Sequence, residues 1–462
     1  MFRLFKHYIP KAVLLLALLD AMLLMMAAEA AWVLRAYQIG MTVEPLYERW
    51  IPMVSFALVV QLGMIGVGVY GTEALQSVRF ALMRLLTAVS LGIILLATLY
   101  FVFPSVALWR SNLAYAMPLA VIGPMLLRIA FAAALGGEAF RRRILVLGAG
   151  SRAARIADLA SSGSAGFIAV GFVAMTDETP AVPMAIHRTK IDSLADHVVA
   201  LNAGEVVLAL EERRNALPLD DLLRIKTTGV HVNEISSFLE RETGRVDLAT
   251  VNPSWFIFSD GFTAGQRVSK VAKRLFDIVA SLLVLILMGP VVAVAAIIVK
   301  LDSVGPAFYR QRRVGLYGQP YNIFKLRSMR QDAEAGGKAI WAAEADPRIT
   351  RIGRFLRMTR IDEIPQAWNV LKGEMSFVGP RPERPEFVQE LEREIPYYAE
   401  RHMVKPGLTG WAQINYPYGA SIDDARCKLE YDLYYAKNYT PFLDVLILLQ
   451  TLRVVLWPEG VR

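Results

Sequence analysis

The stretch RIDEIPQAW, residues 360–368, sets two acids, Asp362 and Glu363, side by side just ahead of a proline. Adjacent side chains do not share a helix face, so this is not the pattern of a simple surface salt bridge. Arg357 and Arg360 lie close by in sequence, and Arg381 follows, held between Pro380 and Pro382. A helix starting with Asp362 as its N-cap would place Pro365 in the first turn, where backbone donors are unpaired anyway. Thr359 is the alternative cap, with Asp362 closing a capping box. Neither cap accounts for the crowd of arginines. Carboxylates, guanidinium groups and a helix N-terminus together suit phosphoryl transfer. The anion rests on the helix end and the arginines, a hard cation such as Mg²⁺ bridges carboxylate and phosphate, and one carboxylate can attack phosphorus.

The elements that must position these groups start upstream. GPAFYRQRRVGLYGQPYNIFKLRSM (305–329) reads as strand-like runs around a glycine turn, with Lys325 and Arg327 two apart and hence on one face of a strand. Such a basic face suits a diphosphate, or equally a solvated or headgroup-facing stripe. Tyr321 and Lys325 also have the Tyr-x-x-x-Lys spacing of short-chain dehydrogenases, but in a strand-like run rather than on the helix that chemistry needs. Before this region lies an apolar run, 276–301, long enough to span a bilayer. Basic residues flank it on both sides, and Gly289 and Pro290 sit near its middle, where proline removes a backbone donor. These features predict a re-entrant helix over 276–300 that breaks at Gly289–Pro290 and returns to the side it came from.

Four more apolar runs, roughly 11–34, 51–70, 80–103 and 112–135, fill the first third, each near the ~20 residues that cross a bilayer. The first is too long for a signal peptide and is followed by three similar runs, so it reads as a retained anchor. Asp20, Glu29 and Arg128 lie inside these runs and are expected to face the bundle interior or an interface. Basic residues cluster before the first run, between the second and third, and after the fourth, which places the N-terminus and everything past residue 140 in the cytosol. Of the 462 residues 55% are hydrophobic and the net charge is +8, a balance that points to lipid headgroups and phosphorylated substrates rather than nucleic acid. A lone cysteine, Cys427, excludes an intrachain disulfide, and the five histidines are scattered, which argues against zinc.

Between membrane run and catalytic region, RRRILVLGAGSRAARIADLA (141–160) carries an apolar run into Gly148-x-Gly150-x-x-Ala153 and a helical pattern. Strand, glycine turn and helix start are the context of a dinucleotide fingerprint, with Asp177 as a possible ribose partner farther along than usual. The reading stays open between a nucleotide or nucleotide-sugar site and a fold that keeps the turn but binds nothing. The expected organisation is a four-helix transmembrane bundle (1–138), a Rossmann-like domain (139–235), a junction (236–269) and a mixed α/β catalytic domain on the re-entrant helix (270–462).

KRLFDIVAS, GPAFYRQRRVG, FKLRSM, DEIPQAWNVLKGEMSFVGPRP and KPGLTGWAQI strongly resemble the bacterial sugar transferases that load a phosphosugar onto polyprenol phosphate and begin exopolysaccharide and O-antigen synthesis. The resemblance runs from about residue 270 to the end. The bundle and α/β domain ahead of it look like the long form of that family, and the SSFLERETGR…PSWFIFSDGF junction is similar to its exopolysaccharide and PEP-CTERM branch. The resemblance implies a re-entrant membrane helix and a nucleophilic acid at Asp362. It also implies a covalent phosphosugar–aspartate with release of UMP from a UDP-sugar, and attack by undecaprenyl phosphate. It further implies Mg²⁺ at Asp362 and Glu363, phosphate contacts from Lys325, Arg327 and Arg381, and Gln366 lining the site. Arg360 departs from the leucine that many members carry. The implied setting is the bacterial inner membrane with the catalytic domain in the cytosol. The sugar and the subunit number are not readable, a homodimer being compatible with the sequence.

Overall fold

The computed structural model describes residues 2–4, 7–9, 11–43, 45–70, 78–135, 141–162, 165–176, 180–211, 217–251, 255–256, 267–331, 333, 346–417, 419 and 421–456. It divides into two units, one built on Tyr8–Val251 and the other on the chain beyond Val251.

The first unit opens with four helices, α1 (Lys11–Ile39), α2 (Leu46–Val67), α3 (Val78–Val102) and α4 (Arg110–Leu135). All four are long and apolar enough to cross a membrane, and with the long helix of the second unit they mark a membrane protein. Leu24, Phe56, Val60, Met64, Leu85 and Leu96 form their buried core. Asp20 and Arg128 face inward as expected, paired through two bonds of 3.0 and 3.1 Å, with the Tyr70 hydroxyl donating to the same carboxylate. Glu29 pairs with Arg49 at 2.6 Å. In an apolar bundle an ion is retained only where a partner neutralises it, and both acids have one.

The α/β part follows with β1 (Arg142–Leu147), α5 (Ser151–Ser161), β2 (Phe167–Ala174), β3 (Ile186–His187), α6 (Leu194–Ala200), β4 (Glu205–Leu208), α7 (Leu219–Thr227), β5 (His231–Glu234) and α8 (Ile235–Thr243). The five strands are parallel, in the order β3-β2-β1-β4-β5. Ile144–Leu147 are fully buried, as a central parallel strand covered on both faces must be. The expected boundary at 235 falls on the first residue of α8, whose Phe238 packs edge-on against Phe167 at 4.9 Å. The α/β layer therefore extends past it, because the apolar face of α8 has to be buried on the sheet.

The second unit begins with α9 (Arg267–Asp302), followed by the antiparallel hairpin β6 (Phe308–Val314) and β7 (Pro320–Leu326). Then come α10 (Arg351–Met358), a 3₁₀ turn (Ile361–Gln366) running into α11 (Ala367–Lys372), and β8 (Ser376–Val378). The chain ends with α12 (Pro385–Glu394), β9 (Gly407–Thr409), α13 (Trp411–Asn415), α14 (Ile422–Asn438) and α15 (Pro441–Leu456). Strands β8 and β9 pair in parallel. The break expected at Gly289–Pro290 is not present as an interruption: α9 is helical throughout its 36 residues with Pro290 inside. One missing donor costs the helix a single hydrogen bond, and the apolar runs on either side carry the helical pattern across it. The apolar helix α15 buries Leu443, Asp444 and Ile447 within this unit.

Candidate active site

The Asp-Glu pair owes its position to a left-handed residue. Thr350 caps α10 by accepting from the Gly353 N–H at 2.9 Å. A Cβ on Gly353 would lie 1.9 Å from the Ser328 carbonyl, so glycine alone lets this helix seat against the end of β7. The helix closes at Thr359, whose hydroxyl turns back to the Phe355 carbonyl, and Arg360 follows at φ 60. That left-handed residue ends one helix and starts the next as a 3₁₀ turn, with the Glu363 N–H donating to the Arg360 carbonyl. Neither Asp362 nor Thr359 is therefore the cap of the second helix. Its N-cap position is Arg360, with no side-chain capping bond, because the chain enters through the left-handed turn instead of an extended cap.

The tight turn separates the two acids. Glu363 is surrounded by cations: Arg381 at 2.9 Å and Lys325 at 3.1 Å meet on Oε1, and Arg360 reaches Oε2 at 3.7 Å. Burial opposes its charge, yet Arg381, Lys325 and Arg360 outweigh burial and hold the carboxyl far below the usual carboxylate range. Asp362 is left with less. It is 6% exposed, and its Oδ1 is buried without a hydrogen-bond partner. Burial first, and the neighbouring Glu363 charge second, push its carboxyl up to about 6, against the opposing pull of Lys325, Arg357 and Arg360. One acid is spent on holding cations together, and the other is a buried oxygen looking for a cation or an electrophile.

Lys325, Arg357 and Arg381 converge on this pair. Arg357 donates from Nε to Ser328 Oγ at 2.9 Å, and Gln366 is buried in the same 3₁₀ turn. Arg327 is placed elsewhere. It follows β7, and its guanidinium donates to the carbonyls of Val304 (2.6 Å) and Ser303 (2.7 Å), where it closes the C-terminal end of α9. The strand alternation put Lys325 and Arg327 on one face, but β7 ends at Leu326, so the alternation stops before Arg327. Tyr321 and Lys325 both lie in β7, and the helical dehydrogenase pair is not formed.

Two residues that motif spacing did not single out hold the site together. The Asn369 side chain is fully buried, donates to the Asn322 carbonyl and Glu374, and accepts from the Phe324 N–H at 3.1 Å. It thereby locks β7, and with it Lys325, against α11. Arg401, paired with Asp432 at 2.7 Å, donates to the Arg381 carbonyl at 2.9 Å and fixes the Pro-Arg-Pro turn. A lone polar residue inside the apolar run AWNVL was the available signal for Asn369.

The glycine turn looks different. Gly148, at φ 135, brings the chain so close to Ala209 that a Cβ would lie 2.4 Å from its carbonyl oxygen. Gly150 precedes α5, and Ala153 is buried in the helix. The helix N-terminus is already occupied by an acid of the same chain: Glu211 Oε1 accepts from the Ser151 N–H and Oγ, both at 2.6 Å, and from the Arg152 N–H at 3.4 Å. The Ser151 hydroxyl and those N–H groups draw the Glu211 pKa down. Asp177 lies outside the described residues.

Among the described residues no three metal-ligating side chains cluster together. The donor set still fits Mg²⁺, which is commonly held by one or two carboxylates and completed by substrate phosphates. Asp362 supplies an oxygen without a partner, and Glu363 stands beside it. Asp362 is thus a buried carboxylate next to the cations that Glu363 gathers, in a unit whose first helix is long and apolar enough to cross a membrane. The profile of the bacterial sugar transferase family matches residues 268–458. The relatives agree. A UDP-N-acetylgalactosamine-undecaprenyl-phosphate N-acetylgalactosaminephosphotransferase of Aeromonas hydrophila is 42% identical over 232 residues, 50% of this chain and 53% of that protein. UDP-glucose:undecaprenyl-phosphate glucose-1-phosphate transferases of Caulobacter vibrioides and Escherichia coli are each 41% identical. They align over 41% and 40% of this chain, and over 71% and 40% of their own lengths. The chain thus spans only about half of the Aeromonas protein it matches. It belongs to the bacterial sugar transferase family.

Proposed function

We propose that this chain transfers a sugar-1-phosphate from a UDP-sugar to undecaprenyl phosphate, releasing UMP, by way of a phosphosugar carried on Asp362. The observation that carries the reading is the inequality of the two acids: Glu363 gathers Arg381, Lys325 and Arg360, while Asp362 beside them keeps a buried oxygen without a partner. The gathered cations bind the diphosphate and take up the negative charge that builds on the leaving phosphate. As a carboxylate, Asp362 attacks the sugar-bearing phosphorus. An Oδ–P bond forms, the bridging P–O bond breaks, and its electron pair leaves on UMP. An oxygen of undecaprenyl phosphate then attacks the same phosphorus, the Oδ–P bond breaks, and the Asp362 carboxylate returns. Asp362 and Glu363 are the residues that would hold Mg²⁺, which supplies charge neutralisation of the diphosphate when bound.

The two substrates meet at a membrane surface, and α9 supports that placement. Near its start, Lys273 donates to the Val378 carbonyl, Arg274 to those of Val370 and Leu371, and Asp277 accepts from Ser376. Near its end, Ala295 and Val299 pack with Leu326 and Leu356. Both ends thus rest on the same catalytic domain, while Val279, Leu283, Ile286, Leu287 and Val294 between them are exposed and apolar. A helix that crossed the bilayer would place its ends on opposite sides, so two ends packed on one domain support a reading in which α9, with Pro290 near its middle, enters the membrane from one face. The basic flanks support the cytosolic side of the bacterial inner membrane as that face. The test is UMP release from a panel of UDP-sugars by the detergent-purified protein, with Mg²⁺ and undecaprenyl phosphate. Release with one donor, lost on chelation and in Asp362→Asn, is expected; release that Asp362→Asn leaves intact rejects the reading.

A further inference from the structure

A cleft of about 550 Å³ opens in the first unit, apart from the transferase reading and independent of it. Arg142 begins β1, Gly204 and Glu205 lead into β4, and His231 begins β5, so the cleft crosses the N-terminal ends of three neighbouring strands. Doubly wound parallel sheets receive nucleotides at the opposite, C-terminal ends, at the first helix N-terminus. In this chain Glu211 fills that position. The cleft is therefore not the usual nucleotide crevice.

Its charge is arranged in two layers. Behind the opening, Arg142 and Arg241 share Glu205 and Glu242: Arg142 meets Glu205 at 2.7 Å and also pairs with Glu242, and Arg241 reaches Glu205 at 2.7 Å and Glu242 at 3.0 Å. Asn233 donates to Glu205 at 2.7 Å. That quartet is balanced and rigid. Arg141 and Arg143 stand beside it, and Arg143 is exposed and gives its bonds to the Leu201 carbonyl, a neutral acceptor. With Arg143 held only by a carbonyl, the lining carries a cationic group in excess of its carboxylates, over a polar floor whose charges are paired. Position narrows the ligand. Arg141 follows the last residue of α4, Leu135, by six positions, so chain length alone keeps it within ~20 Å of the end of an apolar, membrane-length helix.

We infer that this cleft binds the phosphate of an anionic lipid headgroup. Its volume is in the range of small-ligand sites, and a basic group at headgroup level contributes roughly 1 kcal/mol toward anionic lipid. The full chain, purified in a neutral detergent, is titrated with dioctanoyl-phosphatidylglycerol, with dioctanoyl-phosphatidylcholine, with inorganic phosphate and with UDP, and thermal unfolding is followed. The expected result is a saturable upward shift with phosphatidylglycerol and none with phosphatidylcholine. The apparent affinity falls about thirtyfold in Arg141→Gln/Arg143→Gln and about fivefold in Arg143→Gln alone. The single variant, which gives up only bonds to one carbonyl, covers the case in which the double variant does not fold. Arg381→Ala leaves this response in place, which separates the cleft from the proposed transferase site. A response unchanged in both cleft variants overturns the inference. So does a response to phosphate or UDP that phosphatidylglycerol fails to give, which would make the cleft a pocket for soluble anions.

Discussion

At the start of α5 and at the 3₁₀ turn before α11, the chain sets an acid where a phosphate could go, and it treats the two acids oppositely. Glu211 Oε1 is held by the Ser151 and Arg152 donors and stands in for the anion that a glycine turn normally cradles. Asp362 is buried with an oxygen that nothing satisfies, while the cations nearby are gathered by Glu363. A satisfied acid closes a site, and an unsatisfied one keeps a site reactive. The glycine motif and the Asp-Glu motif are equally conspicuous in sequence, and only what the rest of the chain places against each separates them.

The contrast breaks most visibly at Asp362. Replacing it with Asn is expected to lower UMP release by about three orders of magnitude or more, since the nucleophilic carboxylate becomes a neutral amide. Arg381→Ala comes next. It withdraws the closest cation from Glu363 and from the bound diphosphate, with an expected loss of about 10²-fold in kcat/KM and of roughly 2–4 kcal/mol in stability, read in detergent unfolding curves.

The same Asp362→Asn change should stabilise the ligand-free protein while it removes activity. The folded pKa of about 6 lies above that of the unfolded chain, so the neutral acid favours the fold at low pH and this contribution is lost as pH rises through 6. Asn does not ionise, so its advantage over the wild type is absent near pH 4 and grows to at most about 3 kcal/mol above pH 7 in chelator. Unfolding midpoints across that range check it, and an advantage that does not change with pH counts against a strained Asp362.

Arg327→Met asks whether this arginine holds the helix end or a phosphate. Loss of its bonds to Val304 and Ser303 should cost about 2 kcal/mol of stability and leave KM for the donor unchanged. A raised KM with unchanged stability would put its guanidinium on substrate. The smallest effect belongs to Glu211→Gln, less than about 1 kcal/mol, because a charge at a solvent-facing helix start is largely screened. UMP release should be untouched.

The parallel sheet and the apolar bundle were legible because period and length are local properties of sequence. The strand-glycine-helix order of 141–160 and the five apolar runs needed no distant partner to be read. The Asp-Glu pair and its arginines were visible as a charge pattern, but the division of labour between the acids was not. It depends on a left-handed Arg360 that sequence does not announce, and on Lys325, brought in from 38 residues away by the buried amide of Asn369. Arg327 shows the converse limit: two-residue spacing places side chains on one face only while the strand continues. The filled glycine turn was out of reach for the same reason, since Glu211 lies 60 residues beyond Ser151 and meets it only once β4 is paired beside β1.

The central claim is that Asp362 carries the phosphosugar between the two substrates. The most direct test is to incubate the detergent-purified protein with Mg²⁺ and its UDP-sugar donor in the absence of undecaprenyl phosphate, quench in acid, and map the peptide that has gained the mass of the sugar phosphate. The account predicts one modified site, Asp362, with UMP released in equal amount and the label discharged on adding undecaprenyl phosphate. UMP appearing only when both substrates are present, with no labelled peptide and full turnover, would mean that the phosphosugar passes directly between them and that the orphaned oxygen of Asp362 has another use.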